Sequence, residues 1–201
     1  MGSVTKSTPI VMGHGISMNS LAFVTMGNKT LAYYLLQLGY QIYLINFRGT
    51  RYSNTHITLT QDEPEYWDFS FHQMGQYDLR VTLDFVANQT NGQKAIYIGF
   101  SMGTTIGNVY CILYPEESAS RLLGMIEMAP VANLTDIRSA VGYLSPSWPF
   151  LKEIAYAMWH GKLFPIDENR NEFCSSTLFG ILFCYSISAL IFGPHYSMLD
   201  P

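Results

Sequence analysis

Hydrophobic and polar positions along the chain fall into two alternating kinds of run. Short apolar blocks recur at residues 9–12, 41–46, 95–100 and 122–128, each bounded by glycine, proline or asparagine. Blocks of that length and bounding predict buried strands. Between them the apolar residues take helical spacing. Leu31, Leu35 and Leu38 predict one helix, with Asn28 or Thr30 as N-cap and Gly39 at the C′ position. Phe71, Met74, Tyr77, Val81 and Phe85 recur every three or four residues and predict a second helix, with that stripe packed on the sheet. Residues 104–114 predict a third, stopped at Pro115. Strand and helix alternate throughout, so the sheet is parallel and the class is α/β.

Polar residues within this pattern have mostly structural readings. Asp78 adjoins the second stripe and is expected to hold a neighbouring backbone segment or an arginine. Residues 47–65 form a long surface excursion, where Arg48 and Arg51 more readily close the loop than contact a ligand. Beyond Pro130 the alternation stops. Helical segments are broken at Ser145-Pro146-Ser147-Trp148-Pro149, and residues 173–194 carry no charge. That last stretch is long enough to span a bilayer, but serines, Thr177 and Gly180 interrupt it and no Lys or Arg flanks it. It reads as a buried or lipid-facing helix ahead of a membrane span.

Composition adds three constraints. Charged residues make up only 13% while aromatics reach 14%, so much surface is apolar or covered, as suits a protein at a lipid surface or part of a larger one. A net charge of -4 leaves no basic face for phosphates, which excludes nucleic acid as a partner. No signal peptide is read at Met1-Gly2-Ser3-Val4-Thr5-Lys6, which has no apolar core. Three sequons, at Asn28, Asn88 and Asn133, together with Cys174 and Cys184 ten positions apart, nevertheless hint at a secretory-pathway ancestry. Cys111 reads as a buried free thiol. No metal or cofactor is expected.

The chemistry centres on Gly99-Phe100-Ser101-Met102-Gly103, a G-x-S-x-G between a predicted strand and a predicted helix. In a nucleophile elbow the strand reverses into the helix within about two residues, and only small neighbours fit beside the strained serine. Ser101 is therefore the candidate nucleophile. The Met102 amide, first in its helix, has no intrahelical acceptor and can stabilise an oxyanion. The block at residues 9–12 ends in Gly13-His14-Gly15-Ile16, where a glycine turn can present the Ile16 amide as the second donor.

These pieces together resemble the acid lipases, the α/β-hydrolase family of gastric and lysosomal acid lipase, and most closely its insect members. The matching stretches are Gly13-His14-Gly15, Leu31-Ala32-Tyr33 with Gly39-Tyr40, Asn46-Phe47-Arg48-Gly49, Tyr66-Trp67-Asp68-Phe69-Ser70-Phe71, Tyr77-Asp78-Leu79, 99–105 and Ala129-Pro130-Val131-Ala132. The resemblance implies a partial α/β-hydrolase core at 1–132, with its four central strands, and a partial helical cap at 133–201. It also implies hydrolysis of lipid esters, acylglycerols or sterol esters, through a Ser101 acyl-enzyme at a lipid–water interface, in a secreted or lysosomal protein. Phe100 and Met102 stand where vertebrate members have His and Gln, which changes the pocket wall. The family's catalytic Asp and His lie further downstream and are expected to be missing here. Asp136 or Asp167 with His160 or His195 satisfies the chain order Ser…Asp…His, but nothing in the sequence brings either histidine to Ser101. The alternative reading is a lipid-binding or interaction fragment that holds an acyl chain without cleaving it.

Overall fold

The computed structural model of the chain describes residues 8–133, 142–143, 145–149, 153, 177–182, 184 and 186. The chain separates into two compact units, Met1–Ala132 and Asn133–Pro201.

In the first unit four strands, β1 (Pro9–Gly13), β2 (Gln41–Leu44), β3 (Ala95–Phe100) and β4 (Leu122–Met128), form one sheet in the order β2-β1-β3-β4. All three pairings are parallel. Side chains on a strand alternate between faces, and the two cores follow that alternation. Val11, Ile45, Phe47 and Tyr97 face one core with Leu83, Val86, Ile106 and Tyr110, whereas Ile10, Met12 and Ile98 face another with Ala32. The chain runs from β1 outward to β2, then returns to place β3 on the opposite side of β1. The sheet therefore reverses its direction of growth between β1 and β3, and a crevice opens at the carboxyl ends of two such strands.

Helix α1 (Leu31–Gln37) starts at Thr30, whose hydroxyl accepts the Tyr33 N–H. It ends at Gly39 with φ of 86°, a left-handed position suited to glycine. Of its expected stripe, Leu31 and Leu38 are exposed and Leu35 is half-buried, while Ala32 packs on the sheet. The cause is position, because α1 borders β2, an edge strand that is itself only half-buried rather than buried as expected.

The second helix departs more from expectation. Ser70 and Gln73 form a capping box at its start, and α2 (Phe71–Gln73), a π-helical stretch (Met74–Leu79) and α3 (Arg80–Gln89) then follow without a break. The buried residues are Met74, Gly75, Leu79, Leu83, Val86 and Ala87, while Phe71, Tyr77, Val81 and Phe85 of the expected stripe are exposed. Met74 to Leu79 is a step of five residues, the hydrogen-bond span of a π turn, so every later position is rotated off the face that α-helical spacing assigns. Close packing accompanies the wide turn, since a Cβ on Gly75 would meet the Ile106 carbonyl at 2.8 Å. Helix α4 (Met102–Leu113) supplies that carbonyl. Helix α5 (Pro115–Arg121) begins with the proline that ends α4 and is tied to α3 by Arg80–Glu117 and Asp84–Arg121 ion pairs.

In the second unit the Thr177 hydroxyl accepts the Gly180 N–H, opening a helical turn at 178–182. Cys184 is disulfide-bonded, and Cys111 in the first unit is a half-buried free thiol. Cys174, Asp136, Asp167, His160, His195 and most of 173–194 lie outside the described residues. Among the described residues no helix is long and apolar enough to cross a membrane.

The π turn makes an opposite prediction to the simple stripe. Leu83→Ala should cost about 2–5 kcal/mol by leaving a core cavity, and Val81→Ala, 65% exposed, less than about 0.5 kcal/mol. Urea midpoints of the two variants measure the difference; equal losses would place Val81 in the core.

Candidate active site

Ser101 stands where β3 turns into α4, with φ of 51° and ψ of -119°. A non-glycine residue there costs on the order of 1–3 kcal/mol unless its surroundings hold it. Four hydrogen bonds do so. The Ser101 N–H donates to the Met128 carbonyl at 2.9 Å, and the Ser101 carbonyl accepts from the Thr104 N–H at 2.9 Å. The Thr104 hydroxyl donates to the same carbonyl at 2.7 Å and accepts the Val131 N–H at 3.0 Å, stapling the segment after β4 to the elbow.

The glycines around Ser101 are there for lack of space. A Cβ on Gly99 would come within 2.8 Å of the Gly103 and Thr104 backbone, and one on Gly103 would overlap the Gly13 carbonyl. Tyr97, fully buried, donates its hydroxyl to the Gly103 carbonyl at 2.8 Å. Burial drives its phenol pKa upward, which keeps it a neutral donor. A Cβ on Gly15 would lie 3.1 Å from the Ser101 Cβ, so the loop after β1 passes directly beside the serine. Met102 opens α4, where its amide has no partner within the helix. The structure thus brings Gly15, Ser101 and the start of α4 together.

His14 sits under this loop at 1% exposure. Its Nε2 accepts the Phe47 N–H at 3.2 Å, and its Nδ1 lies 2.8 Å from the Gly15 carbonyl. An N–H can only donate and a carbonyl can only accept, so Nε2 is bare and Nδ1 carries the proton. The ring is neutral. Burial lowers its pKa below the ordinary 6.5, partly offset by the Gly15 carbonyl. With both nitrogens engaged, His14 has no free lone pair for the Ser101 proton.

The segment after β2 buttresses the same loop. Asn46 Oδ1 accepts the Ser20 N–H at 2.9 Å. Next to it, Arg48 gives its backbone N–H to Asp78 Oδ2 at 2.9 Å, and its guanidinium pairs with Asp78 at 2.6 Å. Asp78 therefore has the structural role read from the sequence, and Arg48 closes its loop. The π turn puts Tyr77 beside Asp78, with the Arg48 guanidinium 5.5 Å over its ring. Sequence reasoning missed Tyr97, Thr104 and the ring bonds of His14. Only the two adjacent threonines after the elbow gave any signal of them.

The sequence pattern of the alpha/beta hydrolase fold family matches residues 8–157. The chain belongs to that family. Among its relatives are Lipase 1 of Drosophila melanogaster, 33% identical over 181 residues, and gastric triacylglycerol lipase of Mus musculus, 30% identical over 186 residues. These alignments cover 87% and 90% of this chain, and 41% and 46% of the relatives. Lysosomal acid lipase/cholesteryl ester hydrolase of Homo sapiens is 29% identical over 184 residues, covering 85% of this chain and 46% of that protein. This α/β hydrolase thus spans about half the length of the curated relatives it matches. An extracellular α/β-hydrolase from a Paenibacillus species, related in structure and function to tobacco salicylic acid binding protein 2, superposes with a TM-score of 0.50. At 14% identity over 93% of this chain and 66% of that one, it shows the fold alone. The resemblance to gastric and lysosomal acid lipases read from the sequence agrees with these relationships.

Two outcomes follow for the site of this α/β hydrolase. Gly103→Ala should lower stability by about 3 kcal/mol or more, because the obstacle is backbone and cannot rotate away; thermal melting checks this. For His14 the folded pKa is below the unfolded value, so the unfolded state binds more protons in between. The urea midpoint of the native chain should therefore fall relative to His14→Gln as pH drops below 6.5, and the gap should stay constant above it.

Proposed function

We propose that the protein is a lipid ester hydrolase of the acid-lipase type, working through an acyl-enzyme on Ser101. The single observation carrying this reading is the left-handed backbone of Ser101 between β3 and α4, with Gly15 packed against its Cβ. In that arrangement the Ser101 hydroxyl attacks the ester carbonyl, the tetrahedral oxyanion is held by the Ile16 and Met102 amides, and the alcohol leaves with a proton. Water then hydrolyses the acyl-serine. His14 is committed at both nitrogens, so the base belongs to another residue of the whole protein. Acylglycerols and sterol esters are the substrate classes supported by the relatives, whose names include triacylglycerol lipase and cholesteryl ester hydrolase.

Surface composition supports work at a lipid–water interface. Between Ile16 and Leu38 the chain exposes Leu21, Val24, Met26, Leu31, Tyr34 and Leu36, and carries one charge, Lys29. The same surface favours a second reading, a protein that binds lipid without cleaving it. A secreted or lysosomal location is supported by the gastric and lysosomal relatives and by exposed asparagines at the three sequons, Asn28, Asn88 and Asn133.

The test is hydrolysis of a short-chain nitrophenyl ester and a triacylglycerol emulsion by the native protein and by Ser101→Ala, at acidic and neutral pH. The expected result is turnover that falls by about a thousandfold or more in the variant. Equal background in both, with both still binding lipid vesicles, would replace the hydrolase by the binding protein.

A further inference from the structure

The proposed oxyanion donor on the β1 side, the Ile16 amide, belongs to a loop with little regular structure of its own. Glycine at position 15 leaves the Gly15–Ile16 peptide free to rotate. Residue 16 is exposed, and residue 17 has φ of 57°. Something must choose which way the Gly15–Ile16 peptide faces. Two groups hold its carbonyl, the Met18 N–H at 3.3 Å across a turn and the His14 ring at 2.8 Å from beneath. The ring bond is the shorter one, and it comes from a side chain with 1% exposure.

All peptides of the described chain are trans. In a trans peptide the carbonyl and the following N–H point in opposite directions. Fixing the Gly15 carbonyl on a buried ring therefore fixes the Ile16 N–H away from that ring. Where a side chain at position 15 would begin, the nearest atoms are the Ser101 Cβ at 3.1 Å and the Phe100 ring at 3.3 Å, so this peptide adjoins the serine. The ring can act this way in one tautomer only. A proton on Nε2 would set N–H against N–H at Phe47 and lone pair against lone pair at Gly15. The Phe47 amide thus selects the tautomer. Phe47 is itself pinned on either side, through Asn46 to Ser20 and through Arg48 to Asp78.

We propose that His14 is a positioning residue whose Nδ1-protonated ring, selected by the Phe47 amide, sets the Gly15–Ile16 peptide so that the Ile16 N–H serves the Ser101 site. The inference rests on the hydrolase reading for its purpose, while its geometry is open to test without turnover.

The two ring nitrogens can be imitated separately. His14→Asn places an amide N–H where Nδ1 stands and keeps the bond to the Gly15 carbonyl. His14→Gln places an amide oxygen where Nε2 stands and keeps the bond from Phe47. A ring that merely fills space, or merely ties two loops together, is replaced equally badly by both. The experiment takes the uniformly 15N-labelled protein and records long-range imidazole spectra, the Ile16 amide resonance, and the rate at which an alkyl fluorophosphonate phosphonylates Ser101. In that reaction the serine oxygen bonds to phosphorus, the P–F bond breaks and fluoride leaves, with the hydroxyl proton passing to base or solvent.

The expected result is a proton on Nδ1 of His14 and none on Nε2 at neutral pH. His14→Asn should keep the Ile16 resonance and label within about threefold of native, whereas His14→Gln should shift that resonance and label at least about tenfold more slowly, approaching the loss of one oxyanion donor. A proton on Nε2, or a Gln variant that matches or betters Asn, would overturn the proposal. A native protein with the expected tautomer and Asn-over-Gln order at Ile16 but no labelling would instead count against Ser101 as nucleophile and leave the positioning role standing. Should neither variant fold, the native imidazole spectrum and protection of the Ile16 amide from exchange decide: an Nδ1 proton with a freely exchanging, solvent-facing Ile16 N–H supports it, and a protected one refutes it.

Discussion

Lack of room between the end of β1 and the first turn of α4 is the constraint from which the site follows. The Gly13 carbonyl reaches into the space that a side chain at 103 would need, and the Gly103 and Thr104 backbone fills the space beside Gly99. β3 and α4 can both lie this close to β1 only if the chain between β3 and α4 turns within one residue, and Ser101 takes that turn with positive φ. A serine in such a turn is lifted clear of the sheet. Its strain is offset by hydrogen bonds to neighbours, including the Met128 carbonyl and the Thr104 hydroxyl.

A second layer holds the first. The end of β2 places three consecutive residues as ties in different directions: Asn46 to the loop after β1, Phe47 to His14, and Arg48 to Asp78. Asp78 reaches Arg48 because the π turn swings Tyr77 and Asp78 out of the core while Met74 and Leu79 remain inside. The wide turn is thus more than a packing irregularity. It lets one helix both cover the sheet with Leu83 and Val86 and anchor the loop that supports the site.

The sparse charge of the chain has a matching structural expression. Leu123, Ile126 and Met128 are exposed on β4, which pairs only with β3 among the described residues, and the segment from Ile16 to Leu38 shows apolar side chains on the outside. Polar chemistry is concentrated instead in a few satisfied networks, such as Arg80 with Glu117 and Tyr110.

Much of this was legible in the sequence because it depends on local constraints. Four apolar blocks bounded by turn residues gave the strands, Thr30, one of two N-cap candidates, and Gly39 marked the limits of α1, Pro115 separated two helices, and two glycines around Ser101 marked the elbow. That Asp78 holds a backbone segment or an arginine was also readable, since a carboxylate next to a helix stripe has few other uses, whereas Arg48 as that partner came from the packing. The rest depended on contacts between segments far apart in the chain. The face that α3 buries was set by a five-residue step that α-helical periodicity does not contain, and the exposure of β2 and β4 by their places at the edges of the sheet. The tautomer of His14 was set by the Phe47 amide, thirty-three positions away. By itself the sequence determined which residues turn, cap and alternate, because those are steric properties of short segments. Tertiary structure alone decided which face is covered and which nitrogen carries a proton, because both depend on what packs against them.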